Sequence, residues 1–582
     1  MEIVQCEEKE YIVIEAGSSF LLNAGICGFI KMLDYVDAEK GEDYIIEKQQ
    51  LKVKKEVFLQ KDLANLYVKT MVKKLGEQTK YHTILGKKND VERLVKKAEK
   101  EELTKEDSEK LKDLYKEMVD MLEKNSFLSG YEIIQQITDV TSITVDKIKA
   151  LKKSEIKEKY PIYLEICELL EKPEVKEVLI MKELMYSKIN LFYDNISFFL
   201  NTNLKKNITE CYRTDFITPL LEEIQNEKKG KKRCIECLSY ASKVRASSFM
   251  AETTDDVNRK KAHYWNQKAD AYICPLCAFL YTLIPLGFQF CGRAAVFINE
   301  NGNISNMVRM MDAFDYKKEE LEDKASLKSK IFRTFTTEAM KMTEKTLDNI
   351  QVIVRMGGKD YYEMSVISPE IVRGFRRTHE FKEKNKKQKD DFEILEKRYI
   401  KTEKDYISVY DKVLECILEK RHLYSLMDQL FFYEMKENKS TDYIWNILKL
   451  EIYFKGGEEK QMDSLYKLAK RARHYGNEMR NELTKGIMEK DKENVLRGFV
   501  YKLNNAVSTR DLDMFMDTII RVYSSNGFSI PSVILECYRD DTAFQTVARG
   551  YILGLKSSFD PKEKEGTEEE KQNTEKEKEK NE

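Results

Sequence analysis

Hydrophobic and polar positions change their spacing several times in the first sixty residues. Ser18 and Ser19 precede an apolar segment at 20–33, and serine side chains accept hydrogen bonds from the free amides at a helix start. This segment is therefore predicted to be a helix. Strand-like patterns occur at 11–14, 43–46 and 51–58. The N-terminal region is predicted to mix strands with helices.

Two longer stretches, 63–123 and 143–199, repeat apolar residues at spacings of three and four, with lysine and glutamate between them. That period is typical of helices with one wet face. Residues 350–367 depart from it, because two apolar runs flank Gly357-Gly358. Glycines at that position predict a β-hairpin.

A polar stretch at 380–391 is interpreted as a domain boundary. Beyond it, residues 392–555 return to the helical period, with breaks at Gly456-Gly457, at 524–527 and at Pro531. A helical bundle is the expected result. The last residues contain no large apolar side chain after Phe559 and cannot bury a core, so a disordered charged tail is expected.

The resulting fold class is α+β and predominantly helical. A mixed α/β N-terminal region carries an inserted zinc-ribbon-like module, and a C-terminal helical bundle follows. The predicted ranges are 1–385 for the N-terminal domain, about 211–298 for the module within it, 386–556 for the bundle and 557–582 for the tail.

Charge is dense but balanced: 100 lysines and arginines face 101 aspartates and glutamates, which together make up 35% of the residues. Any surface that binds a polyanion must therefore be local. Seven of the eleven cysteines are scattered singly, which does not suit a disulfide framework and favours a reducing cytoplasm. The N-terminus carries acidic residues where a secretory signal would be basic, so export is not expected.

Residues 271–292 contain no charged side chain, a length that could cross a bilayer. Two prolines, a glycine and a glutamine interrupt the apolar run. We interpret it as a buried segment, with a membrane span as the alternative.

Two cysteine pairs mark the middle of the chain: Cys234 and Cys237 in C-I-E-C, and Cys274 and Cys277 in C-P-L-C. Four thiolates on two tight turns can close a tetrahedral zinc site, and one structural Zn²⁺ per chain is predicted. The alternatives are buried free thiols or a redox pair, although thiol exchange needs only one pair. His263 is not required as a ligand.

Catalytic motifs are missing. The sequence has no G-x-S-x-G, no P-loop, no H-E-x-x-H and no G-x-G-x-x-G. Three carboxylate pairs, Asp255-Asp256, Asp390-Asp391 and Asp540-Asp541, are interpreted as solvated, since adjacent acids point apart. A zinc ion held by four thiolates leaves no position for water, so no enzymatic activity is predicted.

Basic residues cluster beside the first cysteine pair, within the insertion and on one C-terminal helix. The candidate nucleic-acid contacts are Lys228, Lys229, Lys231, Lys232, Arg233, Lys243, Arg245, Arg259, Lys260, Lys261, Lys470, Arg471, Arg473 and Asn477. A weaker third cluster contains Arg373, Arg376 and Arg377. Basic loops anchored by a metal suit phosphate contact, whereas the alternative is an ordinary solvated charge run.

The cysteine pairs, the N-terminal run Asn23-Ala24-Gly25-Ile26-Cys27-Gly28-Phe29-Ile30 and the helical C-terminus together resemble the CXXC-CXXC family of CRISPR-associated proteins. That family supplies the large subunit of type I-B Cascade and related type I effector complexes. The resemblance implies a cytoplasmic, non-catalytic subunit that binds the crRNA 5′ end and recognises the protospacer-adjacent motif.

The implied partners follow from the same resemblance. They are crRNA, double-stranded target DNA, the backbone, crRNA-processing and small subunits of Cascade, and a separate helicase-nuclease, with no membrane. The N-terminal half would hold the crRNA handle and the motif duplex, and the C-terminal bundle would line the path of a DNA strand. Asn23 is interpreted as a packing or capping residue.

Related systems make a free small subunit from an internal start. Purine-rich codons for Gly456-Gly457-Glu458-Glu459-Lys460 precede Met462, which is a candidate start. Two other classes of function stay open at this point: a free-standing zinc-stabilised DNA-binding regulatory protein, and a thiol-dependent or unfamiliar enzyme.

Overall fold

We describe the fold from a computed structural model. The described residues are 2–6, 9–17, 19–36, 38–100, 104–137, 145–153, 156–193, 206–226, 230–246, 272–291, 294–300, 303–313, 350–357, 361–384, 391–401, 406–437 and 441–556. They form two compact units, of which the first ends at Val366 and the second begins at Ile367.

The first unit contains two four-stranded sheets. The strands of the N-terminal sheet, in spatial order, are Glu2–Cys6, Lys9–Glu15, Gln50–Lys54 and Tyr44–Glu47. Those of the other sheet are Tyr362–Ile367, Ile350–Met356, Ala294–Asn299 and Gln289–Cys291. Strands Ile350–Met356 and Tyr362–Ile367 are neighbours in this sheet, at the position where the sequence predicts a β-hairpin.

Helices make up most of the first unit. Their bounds are Phe20–Tyr35, Lys55–Gln60, Leu63–Leu75, Lys80–Gly86, Lys88–Lys100, Lys105–Leu122, Asn125–Ile137, Val145–Lys153, Ile156–Glu171, Pro173–Ser187, Ile208–Tyr212, Thr218–Gln225, Pro275–Thr282, Ile284–Gly287 and Ile304–Ala313. Short 3₁₀ turns lie at Gly76–Gln78 and Ile189–Leu191, and a π turn at Arg213–Ile217. The helical period predicted helices correctly in both long stretches.

Helix Phe20–Tyr35 begins as predicted, because the Ser19 hydroxyl accepts a hydrogen bond from the Leu22 amide at 3.3 Å.

The strand predicted at 51–58 is wrong in its second half. Strand Gln50–Lys54 ends in a charged run, and the next residues form helix Lys55–Gln60. The three successive charged residues Lys54-Lys55-Glu56 interrupt the alternation of apolar and polar residues that a strand requires. Two of the apolar residues that follow are buried on one side of the helix.

The second unit is largely a helical bundle. Its helices are Pro369–Lys384, Asp391–Glu396, Val409–Leu418, Tyr424–Glu437, Asp442–Lys455, Glu459–Leu483, Glu489–Ser508, Leu512–Ser525, Ser532–Leu535 and Asp541–Lys556, with a 3₁₀ turn at Glu536–Tyr538. Strands Tyr399–Lys401 and Tyr406–Ser408 pair where the sequence predicted helix, because aromatic and β-branched residues favour strands.

Close helix packing organises the bundle. A methyl group added to Gly554 would lie 2.0 Å from the carbonyl oxygen of Arg473, and one on Gly476 would lie 2.1 Å from that of Tyr551. Helices Glu459–Leu483 and Asp541–Lys556 thus touch through backbone, which only glycine permits.

Two assignments change in this unit. Helix Pro369–Lys384, which the sequence analysis placed in the N-terminal domain, packs here, with Arg377 donating to the Tyr453 carbonyl at 3.0 Å. Asp391, interpreted as solvated, is buried and forms an ion pair with Lys449. Charge neutralisation by the lysine permits that burial.

The predicted class, α+β and predominantly helical, is confirmed. Among the described helices, none has both the length and the apolar character needed to cross a bilayer. The predicted tail at 557–582 lies outside the described residues.

Candidate metal centre

Two short β-ribbons position the cysteine pairs. Strand Lys232–Arg233 pairs with Tyr240–Ala241, and Cys234 follows it directly. Strand Arg245–Ala246 pairs with Tyr272–Ile273, and Cys274 directly follows the latter strand. The Ile235 amide donates to the Tyr272 carbonyl at 2.9 Å and so ties the first turn to the second ribbon. Residues 40 positions apart in the chain are thereby brought to one point.

The four sulfurs of Cys234, Cys237, Cys274 and Cys277 form what we call the thiolate cluster. All four Sγ atoms lie within 4.8 Å of one another, and those of Cys237 and Cys274 are 3.6 Å apart. Zinc–sulfur bonds of about 2.3 Å in a tetrahedron place sulfurs about 3.8 Å apart. The cluster therefore has the size and the soft donor set that a zinc ion requires.

A helix start supports the second pair. Cys274 is the N-cap of helix Pro275–Thr282, and its sulfur accepts from the Cys277 amide at 3.5 Å. Pro275 occupies the first turn, where its missing amide hydrogen costs nothing. Amides that point at a sulfur favour its thiolate form, which is the form that binds metal.

Burial and hydrogen bonds among the four sulfurs shift the pKa values of the cysteines in different directions. Cys234, Cys274 and Cys277 are buried, and Cys237 is exposed. Hydrogen bonds from Cys234, and then from Cys274 and Cys277, lower the pKa of the Cys237 thiol. Hydrogen bonding to Cys234 first, and to its other neighbours, raises the pKa of Cys277. Because a cysteine binds metal as a thiolate, a divalent cation bound here would release the protons that these thiols still carry.

The segment after Cys277 packs directly on the first helix of the chain. A methyl group added to Gly25 or Gly28 would lie 2.2 Å from the carbonyl oxygen of Leu280 or Leu283, respectively. The Phe29 and Phe279 rings meet edge to face at 5.3 Å. The uncharged segment is therefore core over its described part, as the sequence analysis expected.

Asn23 is completely buried in the same helix. Its amide nitrogen donates to the Gly17 carbonyl at 2.9 Å and to Asn299 Oδ1 at 2.8 Å, and its oxygen accepts from the Gly17 amide at 3.0 Å. This side chain fastens the preceding loop to a strand of the second sheet and faces no solvent, in agreement with its interpretation as a packing residue.

Comparison with known proteins identifies this region. Residues 227–289 match the model of a family described as CRISPR-associated protein, Cas_CXXC_CXXC. The segment is similar to that CRISPR-associated family. The predicted resemblance to this family is thus confirmed across the cysteine pairs. Neither a curated protein nor a solved structure matches the chain.

Several predicted basic residues lie on the CXXC-CXXC segment. Lys231, Lys232, Arg233 and Lys243 are exposed, and Arg245 is half-buried. Lys232 lies 4.3 Å from the centre of the Tyr272 ring. Lys228, Lys229, Arg259, Lys260 and Lys261 lie outside the described residues, as do His263 and Asp255-Asp256.

Two of these arginines are held by the protein itself. The Arg233 Nε donates to the Leu238 carbonyl at 3.0 Å, across a turn in which Leu238 has a φ of 57°. Arg245 donates to the Asp215 carbonyl at 2.8 Å and stacks on the Phe216 ring at 4.2 Å. Arg233 therefore stabilises the first cysteine turn, and Arg245 anchors the second ribbon.

A cavity of about 720 Å³ lies beside the cluster, and we call it the basic groove. Four predicted residues line it: Lys231, Lys232, Lys243 and Arg245. The remainder of the lining is mostly apolar and comes from Asp215, Phe216, Pro219, Gly230, Ala241, Ser242, Val244, Pro275 and Ala278. Sequence reasoning missed residues 215–219, because nothing in their pattern indicates that a π turn faces the cysteine module.

The C-terminal cluster is arranged differently from the predicted solvent-facing helix surface. Arg473 and Asn477 are each only 9% exposed, and the Arg473 guanidinium lies 4.9 Å from the centre of the Trp445 ring. Arg471 is exposed and Lys470 is half-buried. Arginine and asparagine at this spacing face the neighbouring helices, so the accessible charge on this helix is smaller than its sequence indicates.

Proposed function

We propose that this protein is the non-catalytic large subunit of a type I CRISPR surveillance complex, of type I-B or a related subtype. The observation that carries the proposal is the family match at residues 227–289, centred on the thiolate cluster. In this role the chain binds the crRNA 5′ end and target DNA, recognises the protospacer-adjacent motif and helps to recruit a separate helicase-nuclease.

The metal centre is structural in this proposal. Four thiolates around one zinc ion would fill its tetrahedral coordination and would leave no position for a water nucleophile. The cluster instead holds the two ribbons together, and these carry Lys232, Arg233 and Arg245. Zinc binding would therefore fix the geometry of a basic surface without taking part in chemistry.

Local charge supports contact with nucleic acid. The whole chain has a formal net charge of −1, but the lining of the basic groove contains four cationic side chains and one carboxylate, Asp215, while Glu222 pairs with Lys243 from outside the lining. Burial raises the pKa of Asp215, and the nearby charge of Arg245 acts in the opposite direction. The groove is thus a positive surface on a neutral protein, which is the local arrangement that phosphate binding requires.

Purification of the tagged chain from its host cytoplasm tests the proposal. We expect crRNA and the backbone, crRNA-processing and small subunits of Cascade to co-purify, and the isolated protein to leave DNA and RNA uncut. A matched preparation of the Cys234→Ser variant reports whether assembly needs the cluster. A monomer that carries no RNA would contradict the proposal and favour a free-standing zinc-stabilised DNA-binding regulator.

A further inference from the structure

The lining of the basic groove divides into a charged part and an apolar part. Lys231, Lys232 and Lys243 supply the charged part. Phe216, Pro219, Val244, Pro275 and Ala278 supply the apolar part. Phosphate alone would contact the lysines and leave the apolar wall without a partner. An apolar ligand alone would leave the three lysines without one. A nucleotide carries both chemistries in one unit.

The lysines are available to a ligand to different degrees. Lys231 and Lys232 form no ion pair within the described residues, and Lys243 pairs with Glu222, a residue outside the lining. The Glu223 carboxylate accepts hydrogen bonds from the backbone amides of Ser242 and Lys243. These bonds hold the backbone of the loop that carries Lys243. The ammonium groups are thus carried on a backbone that is already held in place.

The apolar wall is formed largely by closely packed residues. Phe216 is only 2% exposed and lies beneath the Arg245 guanidinium, so it forms a base for the groove and not an exposed stacking surface. Pro275 and Ala278, in the first turn of the helix that Cys274 caps, are likewise buried. Pro219 and Val244 are half-buried and form the part of the apolar wall that a ligand can contact. Gly230 lies so close to the Ala241 carbonyl that a methyl group there would be 1.7 Å from the oxygen. Part of the wall is therefore fixed by the metal module.

We propose that the basic groove binds single-stranded nucleic acid, with phosphates at Lys231, Lys232 and Lys243 and an unpaired base against the half-buried side chains of Pro219 and Val244. The volume of about 720 Å³ falls in the range of about 300–1,000 Å³ that pockets for small ligands occupy. The groove therefore accommodates a nucleotide or two.

Duplex DNA does not suit this site. Its bases are paired and stacked, and turning one toward the apolar wall costs unstacking free energy. A single strand has unpaired bases whose faces can pack on apolar side chains without regard to sequence. The inference deepens the proposed function, because the strand is either the crRNA or a strand of opened target DNA.

The test measures binding by fluorescence anisotropy with the full-length protein and oligonucleotides of about twelve nucleotides, within the usual site size of about 4–16. The probes are single-stranded DNA, single-stranded RNA of the same sequence, the DNA duplex, and single-stranded DNA with abasic sites. We expect the single strands to bind more tightly than the duplex, and the abasic strand to bind about tenfold more weakly than its normal counterpart. The tighter of the RNA and DNA probes identifies the source of the strand.

Two variants separate the contributions. Lys231→Ala/Lys232→Ala/Lys243→Ala should lower the salt dependence of single-strand binding by about 0.7 per lost phosphate contact, or about 2 in total. Lys110→Ala/Lys112→Ala/Lys116→Ala removes the same charge from the exposed face of helix Lys105–Leu122 in the same unit and should leave the slope unchanged. Val244→Trp fills the apolar wall and should abolish the difference between normal and abasic strands.

Three results would overturn the proposal: equal affinity for abasic and normal strands, duplex binding as tight as single-strand binding, or equal losses in the two lysine variants. Failure here is distinguishable from failure of the proposed function. If crRNA co-purifies but the groove variants bind single strands normally, the Cascade assignment stands and the groove proposal is wrong. If the groove binds single strands but no crRNA co-purifies, the groove proposal stands and the Cascade assignment is wrong.

Discussion

Gly25 on the first helix and Leu280, just after the second cysteine pair, touch through their backbones. A methyl group added to Gly25 would lie 2.2 Å from the Leu280 carbonyl oxygen. The approach is reciprocal a few residues away, where a methyl group on Gly287 would lie 1.9 Å from the Ala24 carbonyl oxygen. The N-terminal helix and the end of the metal module therefore share one core.

Gly25→Ala should destabilise the first unit. The added carbon meets backbone, which cannot move aside as a flexible side chain would, and overpacking of this kind costs about 1–3 kcal/mol. We expect a lower urea midpoint and faster amide exchange in helix Phe20–Tyr35. Gly86→Ala is the matched control, because a methyl group there meets nothing within 4 Å. Equal stability of the two variants would contradict the packing described.

The thiolate cluster should hold about one zinc ion per chain, as measured by elemental analysis of the purified protein. Cys277→Ser replaces a buried sulfur in the cluster and should abolish stoichiometric zinc and lower thermal stability. Structural zinc sites bind with apparent free energies of about 10–16 kcal/mol in small domains, so removal by a chelator should also loosen the two ribbons.

Cys211→Ser controls for the loss of any thiol. Cys211 lies in the first unit, is partly exposed and is not a member of the thiolate cluster. This variant should retain zinc. If it loses zinc as fully as Cys277→Ser, or if the wild-type protein contains no metal, the structural zinc site is wrong.

Local patterns predicted much of the fold because period, capping and turn chemistry are properties of short segments. The Ser19 cap, the hairpin at 350–367 and the paired cysteines are of this kind. Long-range partners are not encoded in this way. Nothing near Gly25 indicates Leu280 as its neighbour, and nothing near Phe216 indicates that it supports Arg245.

The C-terminal basic cluster shows the opposite failure. Lys470, Arg473 and Asn477 share one helical face by spacing, and charge on a helix usually marks the wet side. Arg473 instead stacks on Trp445 and is buried, because its aliphatic stem and planar head can pack against an aromatic ring. Sequence composition cannot distinguish an arginine that faces solvent from one that packs against an aromatic ring on another helix.

Glu300 should make the stability of the first unit depend on pH. The residue is 2% exposed, and burial raises its pKa from 4.5 to about 7, partly offset by a hydrogen bond from Asn306 and by Arg309. At pH below 4.5 the carboxyl is protonated in both folded and unfolded chains, so it adds no pH dependence. As pH rises from there to about 7, the unfolded chain loses its proton first, and stability falls.

Above about pH 7 the full cost of the ionised group applies, up to about 3 kcal/mol. Glu300→Gln keeps an acceptor for Asn306 and removes the ionisation. Urea unfolding at pH 5 and pH 8 should show a larger stability loss in the wild type than in this variant. An identical pH dependence in both proteins would exclude Glu300 as the source.

Met462 tests whether the bundle can exist as a separate product. It lies in the first turn of helix Glu459–Leu483 and is 9% exposed. Translation from this codon would retain the contacts of Gly476 with Tyr551 and of Gly554 with Arg473. These contacts join the two most closely packed helices of the unit, so the shorter chain would keep its principal core.

We expect the Met462→Leu variant to lose a small band that co-purifies with the complex, while the full-length chain persists, because leucine preserves the packing volume at this position. Met488→Leu, an exposed methionine further along, should leave that band unchanged. Mass spectrometry of the band should give an N-terminus at Met462. The shorter product would lack Asp428, the ion-pair partner of Arg549, so it should also be less stable than the same helices in the full chain. A small band that survives the Met462→Leu change would show that it does not start there.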